Sequence, residues 1–276
     1  MKELKEISVQ EEQKIQLQIL KIFKKCCENE KIQYFAGYGT LLGAVREKGF
    51  IEWDDDIDIW MKRKDVGKFI EVFYRYFDEK KYFLQTYKTD RYCLSPEMIR
   101  ICVNNTYKWD ENARKEKFHT GIYFDIFPLD YAFGNDKDIY YLKKFTKYHT
   151  NLYNNLKRKW FALSLKEKIK YVVYHKTSRK RLIRKVRKVV SIYSENQKGS
   201  QFVCLPTSYF GYDRSCFNVE DFSTNVMLKF EDTQISCPIG YKKLLSTLYG
   251  DDYMTPKVTK ADRHKAYIWE NGEENL

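Results

Sequence analysis

Four aspartates lie within five consecutive positions of this chain, at Asp54, Asp55, Asp56 and Asp58. Like charges held this close repel one another, so such a run either raises the pKa values of its carboxyl groups or recruits a cation. If residues 56–61 form an extended strand, Asp56 and Asp58 project from one face and the intervening apolar residues from the other. Two carboxylates on one face, about 7 Å apart at Cα, can both reach one hard cation.

An acidic turn on the surface is the simplest alternative reading of this run. An EF-hand calcium loop is another, because three of the aspartates fall at its first three ligand positions. That loop, however, needs glycine where this chain has Ile59 and a bidentate glutamate where it has Asp65. The sequence therefore favours Mg²⁺ or Mn²⁺ serving a phosphate group, since such a cation takes a few carboxylates together with substrate oxygens.

A glycine turn before the acidic run supports phosphate binding. Gly39 and Thr40 lie between an apolar strand and a short helical run. Free N–H groups at a helix start bind phosphate, and glycine allows close approach. Gly-Thr alone is often only a turn, but Gly-Thr followed by Asp-x-Asp on a strand is typical of the nucleotidyltransferase fold, whose third carboxylate comes from a later strand. Asp125, which stands between two apolar residues, is the candidate for that carboxylate.

Four motifs resemble the LicD family of phosphotransferases, which is related to fukutin. They are GYGTLLGAVR (37–46), GFIEWDDDID (49–58), GIYFDIFPLD (121–130) and LYGDDYMTP (248–256). The resemblance is dense in the first half of the chain and patchy in the last quarter. One departure is that Pro256 is followed by Lys257, where a pair of prolines is usual in the family.

The resemblance implies an α/β (α+β) fold, with a nucleotidyltransferase-like mixed sheet flanked by helices and a basic helical lobe. It also implies metal-dependent transfer of a phospho-alcohol from a CDP-alcohol donor onto a cell-surface glycan or its lipid-linked precursor. Phosphocholine from CDP-choline is the best-known case. Two other functions stay open: a metal-dependent glycosyltransferase that uses Asp-x-Asp to hold a nucleotide-sugar, and a non-catalytic basic protein associated with membrane or nucleic acid.

The family pattern assigns roles to five residues. Asp56, Asp58 and Asp125 are expected to bind Mg²⁺ or Mn²⁺ and to form the catalytic set. Asp125 is also the expected acceptor of the proton of the incoming hydroxyl. Gly39 and Thr40 are expected to hold the donor phosphates through their amides.

Four further residues have two readings each. Arg46 either binds the diphosphate or is a surface arginine, or a partner of the acidic run. Arg100, with isoleucines on both sides in a predicted strand, either faces the site or is exposed. His264, in a C-terminal Arg-His pair, is either a substrate contact or base, or a surface histidine. We expect Asp130, just after a proline, to be a turn residue or helix cap rather than a ligand.

The remaining elements follow from periodicity. A capping box at Ser8 predicts a helix ending near Asn29. A second helix starts at Arg63, with an expected buried stripe of Val66, Phe69, Ile70, Phe73 and Phe77. Residues 108–117 are expected to be a polar loop. We divide the chain into a catalytic core (1–133), a basic helical lobe (134–200) and a segment that returns to the core (201–276).

The net charge of +12, from 50 basic and 38 acidic residues, is concentrated in the lobe. Its basic face is a solvated surface, a contact for anionic membrane, or a nucleic-acid surface, although no nucleic-acid motif is present. The charged N-terminus and the seven cysteines without zinc-like spacing predict a cytoplasmic protein. On the membrane reading of the basic face, the contact is peripheral and lies at the inner face of the membrane.

Overall fold

The computed structural model describes residues 4–90, 92, 93, 95, 97–108, 118–157, 165, 179–195, 199–207, 212–256 and 265–269. The helices in this part of the chain are α1 (Val9–Asn29), α2 (Tyr38–Arg46), α3 (Arg63–Val72), α4 (Asp136–Lys157), α5 (Arg179–Glu195) and α6 (Tyr241–Tyr249). The strands are β1 (Leu4–Ile7), β2 (Phe35–Ala36), β3 (Asp58–Lys62), β4 (Tyr82–Gln85), β5 (Ile99–Val103), β6 (Thr106–Lys108), β7 (Tyr123–Tyr131), β8 (Phe202–Cys204), β9 (Cys216–Asn218), β10 (Asn225–Phe230), β11 (Thr233–Pro238) and β12 (Ala266–Trp269).

The central sheet has the strand order β2-β3-β7-β5-β4. Strands β3 and β7 run parallel, and the other pairs along this path are antiparallel. Strands β8 and β9 extend the sheet from the end of β7. The mixed sheet expected from the family resemblance is therefore confirmed.

Helices α1 and α3 cover one face of this sheet. The ring of Phe23 in α1 lies 5.2 Å from that of Phe69 in α3 and 5.0 Å from that of Phe124 in β7, measured between centroids. All three side chains are fully buried. Because side chains alternate along a strand, the neighbouring Asp125 points to the opposite face, which leaves that face for polar chemistry.

The predicted start and end of α1 are confirmed. The backbone N–H of Ser8 donates to Glu11 at 2.7 Å, and the N–H of Glu11 donates back to the Ser8 hydroxyl at 3.2 Å. The stripe predicted for α3 was wrong at Ile70, which is 39% exposed. The helix ends at Val72, which is buried instead, and a 3₁₀ turn begins at the next residue.

A three-stranded antiparallel sheet, β1-β12-β6, joins both ends of the chain. Here the prediction of a polar loop over residues 108–117 was wrong at Lys108, which is the last residue of β6, pairs with Ala266 of β12 and is fully buried. Residues 109–117 lie outside the described residues. The reading of Asp130 as a turn residue or cap was also wrong. Strand β7 continues through Pro128 to Tyr131. The pairing of β7 with β5 ends at Ile126, so the N–H that Pro128 lacks is not needed for that pairing.

Helices α4 and α5 pack on each other through Phe145, Val186, Val189 and Val190. Arg187 of α5 reaches Glu97 of the core at 3.3 Å. The three-part division of the chain remains a prediction. In the part of the chain that the structure describes, every helix is too short or too polar to span a lipid bilayer.

Candidate active site

The acidic loop, which we define as residues 51–57, connects α2 to β3. Its three aspartates, Asp54, Asp55 and Asp56, each offer a carboxylate oxygen within 4.8 Å of the others. The loop begins with a turn in which the N–H of Asp54 donates to the carbonyl of Ile51 at 2.9 Å. Hard oxygen donors at this spacing are what Mg²⁺ or Mn²⁺ requires, so the donor set fits the predicted cation.

The sheet register places three predicted site residues in one row. Asp58 of β3 pairs with Asp125 of β7, and Asp125 pairs with Arg100 of β5. Directly paired residues on adjacent strands project to the same face. Asp58, Asp125 and Arg100 therefore lie side by side across three strands. Because Asp58 is the first residue of β3, this row lies next to the acidic loop.

Arg100 is a partner of Asp125 in this structure. Its Nε and Nη2 atoms donate to the two oxygens of Asp125 at 2.6 and 2.8 Å, and its guanidinium carbon lies 3.6 Å from the ring centroid of Tyr123. A carboxylate has about four lone-pair positions, so two remain on Asp125. That Asp125 joins Asp56 and Asp58 around one cation stays a prediction, as does phosphate binding by Arg100.

Burial and mutual repulsion disfavour the charged forms of the clustered acids. Burial raises the pKa of Asp54 to about 8, with Asp56 and Asp55 adding to the shift. Burial also raises the pKa of Asp56 to about 6, although Lys108 opposes this, and raises that of Asp58 well above its ordinary value. Among the described residues, the acids outnumber the positive charges beside them, and a bound cation would supply the missing positive charge.

The glycines of the first motif allow close packing around the acidic loop. A Cβ on Gly39 would collide with the carboxylate of Asp54, so Asp54 lies directly against the first turn of α2. A Cβ on Gly43 would likewise collide with the backbone carbonyl of Gly49. Thr40 accepts a hydrogen bond from the N–H of Asp58 at 2.9 Å, which ties α2 to the start of β3. Phosphate binding by the amides of Gly39 and Thr40 remains a prediction.

Arg46, in the last turn of α2, is nearly buried, with 8% of its side chain exposed. It donates to Glu47 at 2.6 Å and to the carbonyl of Tyr253 at 3.2 Å. Its contacts therefore attach the segment after α6 to α2. His264 lies outside the described residues.

Four residues that support the acidic loop were not predicted. In α1, Gln13 donates to the carbonyl of Asp54 at 2.9 Å, and Gln16 donates to that of Asp55 at 2.6 Å. The Lys108 ammonium contacts Glu12 at 2.9 Å and also the carbonyl of Asp55. The signal for Glu12 and Gln16 was their spacing, which places them on the buried stripe of α1.

Asp130 lies further along β7 and belongs to another network. Arg63 donates to both of its oxygens, at 2.6 and 2.7 Å, and to Glu97 at 3.0 Å. This pairing explains why Asp130 is buried. It connects α3 to β7 and, through Glu97, to the lobe.

Comparison with known proteins points to one family. A family model described as the LicD/FKTN/FKRP nucleotidyltransferase domain matches residues 31–164. The chain is 31% identical over 272 residues to the lipopolysaccharide cholinephosphotransferase LicD of Haemophilus influenzae, which covers 96% of this chain and 100% of that protein. It is also 30% identical over 130 residues to an uncharacterized protein of Rickettsia typhi, and that alignment covers 46% of this chain and 38% of that protein. The matched model spans α2, the acidic loop, β3 and β7.

Proposed function

Because this chain belongs to the LicD family, we propose that it transfers phosphocholine from CDP-choline onto a sugar of lipopolysaccharide or a related cell-surface glycan, or of a lipid-linked precursor. As a family member it is a transferase of phosphate-containing groups. The observation that carries the proposal is the position of the Asp58–Asp125–Arg100 row beside three clustered carboxylates, against the first turn of α2. This arrangement suits a nucleoside diphosphate, whose reaction depends on charge neutralisation and alignment.

The acidic loop would hold the divalent cation through Asp54, Asp55 and Asp56, with Asp58 as the adjoining carboxylate. Such a cation, when bound, neutralises the diphosphate and stabilises the departing CMP. The backbone N–H groups in the first turn of α2, at Gly39 and Thr40, would orient the donor phosphates.

In the proposed reaction an acceptor hydroxyl oxygen bonds to the phosphorus of phosphocholine, and the bond from that phosphorus to CMP breaks. Asp125 would take the hydroxyl proton through a lone pair that Arg100 leaves unused. Arg100 would orient Asp125 by its two hydrogen bonds.

The test is release of CMP from CDP-choline, with Mg²⁺ and a lipopolysaccharide acceptor. We expect Asp58→Asn to lose nearly all turnover. The control Asp232→Asn, at an exposed aspartate paired with Lys21, should behave as the wild type. Wild-type turnover in Asp58→Asn would remove the proposal.

A panel of nucleotides distinguishes this function from the alternatives. Thermal stabilisation by CDP-choline, or by another CDP-alcohol, supports the phospho-alcohol donor. Stabilisation by UDP-sugars instead would favour a glycosyltransferase. Binding of vesicles or RNA, without binding of nucleotide or metal, would favour a non-catalytic protein.

Contact with an anionic membrane is the second part of the proposal. The buried face of α5 packs on α4, and its opposite face exposes three basic side chains that suit acidic headgroups, Lys180, Arg184 and Lys188. We expect binding to vesicles that contain phosphatidylglycerol and none to pure phosphatidylcholine. Arg184→Glu with Lys188→Glu should weaken that binding, whereas the charge-matched control Lys14→Glu with Lys25→Glu, on α1, should not. Equal binding by both pairs would contradict a role for α5.

A further inference from the structure

Lys108 is a fully buried lysine that no proposed catalytic step uses. Its side chain has no exposed surface. An ammonium is strongly hydrated, so burying it is unfavourable unless charged and polar partners surround it. Because it is inaccessible, Lys108 cannot touch a substrate. Its role must therefore be to position the groups that it contacts.

The partners of Lys108 come from three elements. Its ammonium lies 2.9 Å from Oε1 of Glu12 in α1 and 3.6 Å from Oδ1 of Asp55 in the acidic loop. It also contacts the backbone carbonyl of Asp55 and lies 4.3 Å from the ring centroid of Tyr123 in β7. Lys108 therefore joins α1, the acidic loop and the central sheet at one point.

Hydrogen bonds fix the backbone at both Lys108 and Asp55. The N–H of Lys108 donates to the carbonyl of Thr120 at 2.6 Å, and Lys108 pairs with Ala266 of β12. The carbonyl of Asp55 also accepts a hydrogen bond from Gln16 at 2.6 Å. Since a peptide group is planar, two donors on this carbonyl set the orientation of the peptide that leads into Asp56.

The charges of Lys108 and Glu12 show whether Lys108 positions the acidic loop or neutralises it. A lysine alone beside the acidic loop would cancel part of the negative charge that attracts a cation. Glu12, equally buried, cancels the charge of Lys108 instead. The pair thus holds the loop in place while adding no net charge beside the carboxylates.

We propose that Lys108 and Glu12 are positioning residues, a charge-neutral pair that sets the spacing of the Asp54, Asp55 and Asp56 carboxylates for a divalent cation. This inference rests on the proposed function for the identity of the site. It adds that the geometry of the acidic loop is set by a buried pair that never meets the substrate. Groups behind metal ligands typically change metal affinity by about 10–100-fold when removed.

The test is the double variant Glu12→Gln with Lys108→Met, which removes both charges and leaves the net charge of the pair at zero. Mn²⁺ is the probe, and free Mn²⁺ is followed by its electron paramagnetic resonance signal. We expect Mn²⁺ affinity to fall by at least about tenfold. In turnover assays the Mg²⁺ concentration for half-maximal rate should rise by a similar factor, with little change in KM for the acceptor.

One control separates positioning from general loss of stability, and one single variant tests the charge balance. Glu12→Gln alone leaves the charge of Lys108 uncompensated beside the acidic loop, so Mn²⁺ affinity should fall in this variant too, and an unchanged affinity would contradict the charge balance. The control, Asp130→Asn, breaks a partly buried ion pair with Arg63, about 16 Å along β7 from Asp125. It should lower thermal stability without changing Mn²⁺ affinity.

A folded double variant with wild-type Mn²⁺ affinity would overturn the proposal. If the double variant does not fold, Glu12→Gln with Lys108→Gln takes its place, because it also removes both charges but leaves two amides that can hydrogen-bond to each other in the buried site. Unchanged Mn²⁺ affinity in that variant would overturn the proposal equally.

The outcome for the positioning pair is distinguishable from that for the proposed function. If the wild type binds Mn²⁺ and the double variant binds it weakly, but CDP-choline gives no CMP, the positioning role stands and the assigned donor is wrong. If the wild type binds no Mn²⁺, the positioning role itself is refuted.

Discussion

The metal-free protein should become less stable as the pH rises, because Asp56 resists ionisation in the folded state. Its pKa is raised from 3.8 to about 6, chiefly by burial. Between these values the folded chain retains a proton that the unfolded chain has lost. The unfolded state then binds fewer protons, so the free energy of unfolding falls with increasing pH in this window.

The size of this loss follows from the shift. One pKa unit corresponds to about 1.4 kcal/mol, so the Asp56 shift amounts to a loss of about 3 kcal/mol, complete above pH 6. The pKa of Asp54, raised to about 8, extends the decline toward that pH. Replacing Asp56 by asparagine removes its ionisation but keeps the shape of the protonated carboxyl group.

The measurement is the melting temperature of the wild type and of Asp56→Asn in EDTA, from pH 4 to pH 9. The two should nearly coincide at pH 4, and the variant should melt about 6–12 °C higher at pH 8. Saturating Mg²⁺ should raise the wild-type Tm at pH 8 more than that of the variant, since it binds the ionised carboxylates. A difference between the two proteins that is constant with pH, or a less stable variant at pH 8, would refute this reasoning.

Three other substitutions test the packing. Gly39→Ala should displace Asp54 and weaken Mn²⁺ binding, with a loss of about 1–3 kcal/mol in urea unfolding. Its control, Gly67→Ala on the open surface of α3, should gain about 0.5–1 kcal/mol, and equal effects would contradict the predicted clash. Asp130→Asn should lose about 3 kcal/mol by thermal unfolding, because it removes the carboxylate charge that two nitrogens of the Arg63 guanidinium contact and leaves that arginine only Glu97 as a charged partner among the described residues. Phe23→Ala should lose about 3–5 kcal/mol in urea unfolding, and a loss below 1 kcal/mol would contradict its place in the core.

Local signals in the chain predicted individual elements. The capping box and apolar spacing predicted α1 from Ser8 to Asn29, because hydrogen bonds within one turn and a 3.6-residue period are local properties. The prediction for Ile70 was wrong because Ile70 lies outside the buried face of α3 that Val66, Phe69 and Val72 form, and apolar spacing alone does not show how wide a buried face is.

The sequence by itself determined the chemical character of the site: the acids at 54–58, the Gly-Thr turn before them, and a later strand with Asp125 between apolar neighbours. The tertiary structure decided which groups meet there. Arg100 was expected to face either phosphate or solvent, and strand register placed it on Asp125. Lys108 lay in a stretch that reads as polar loop, and pairing with a strand from the far end of the chain buried it against Glu12. Such contacts depend on how separate strands align and on which buried charges must find partners, and neither is written in the local spacing of residues.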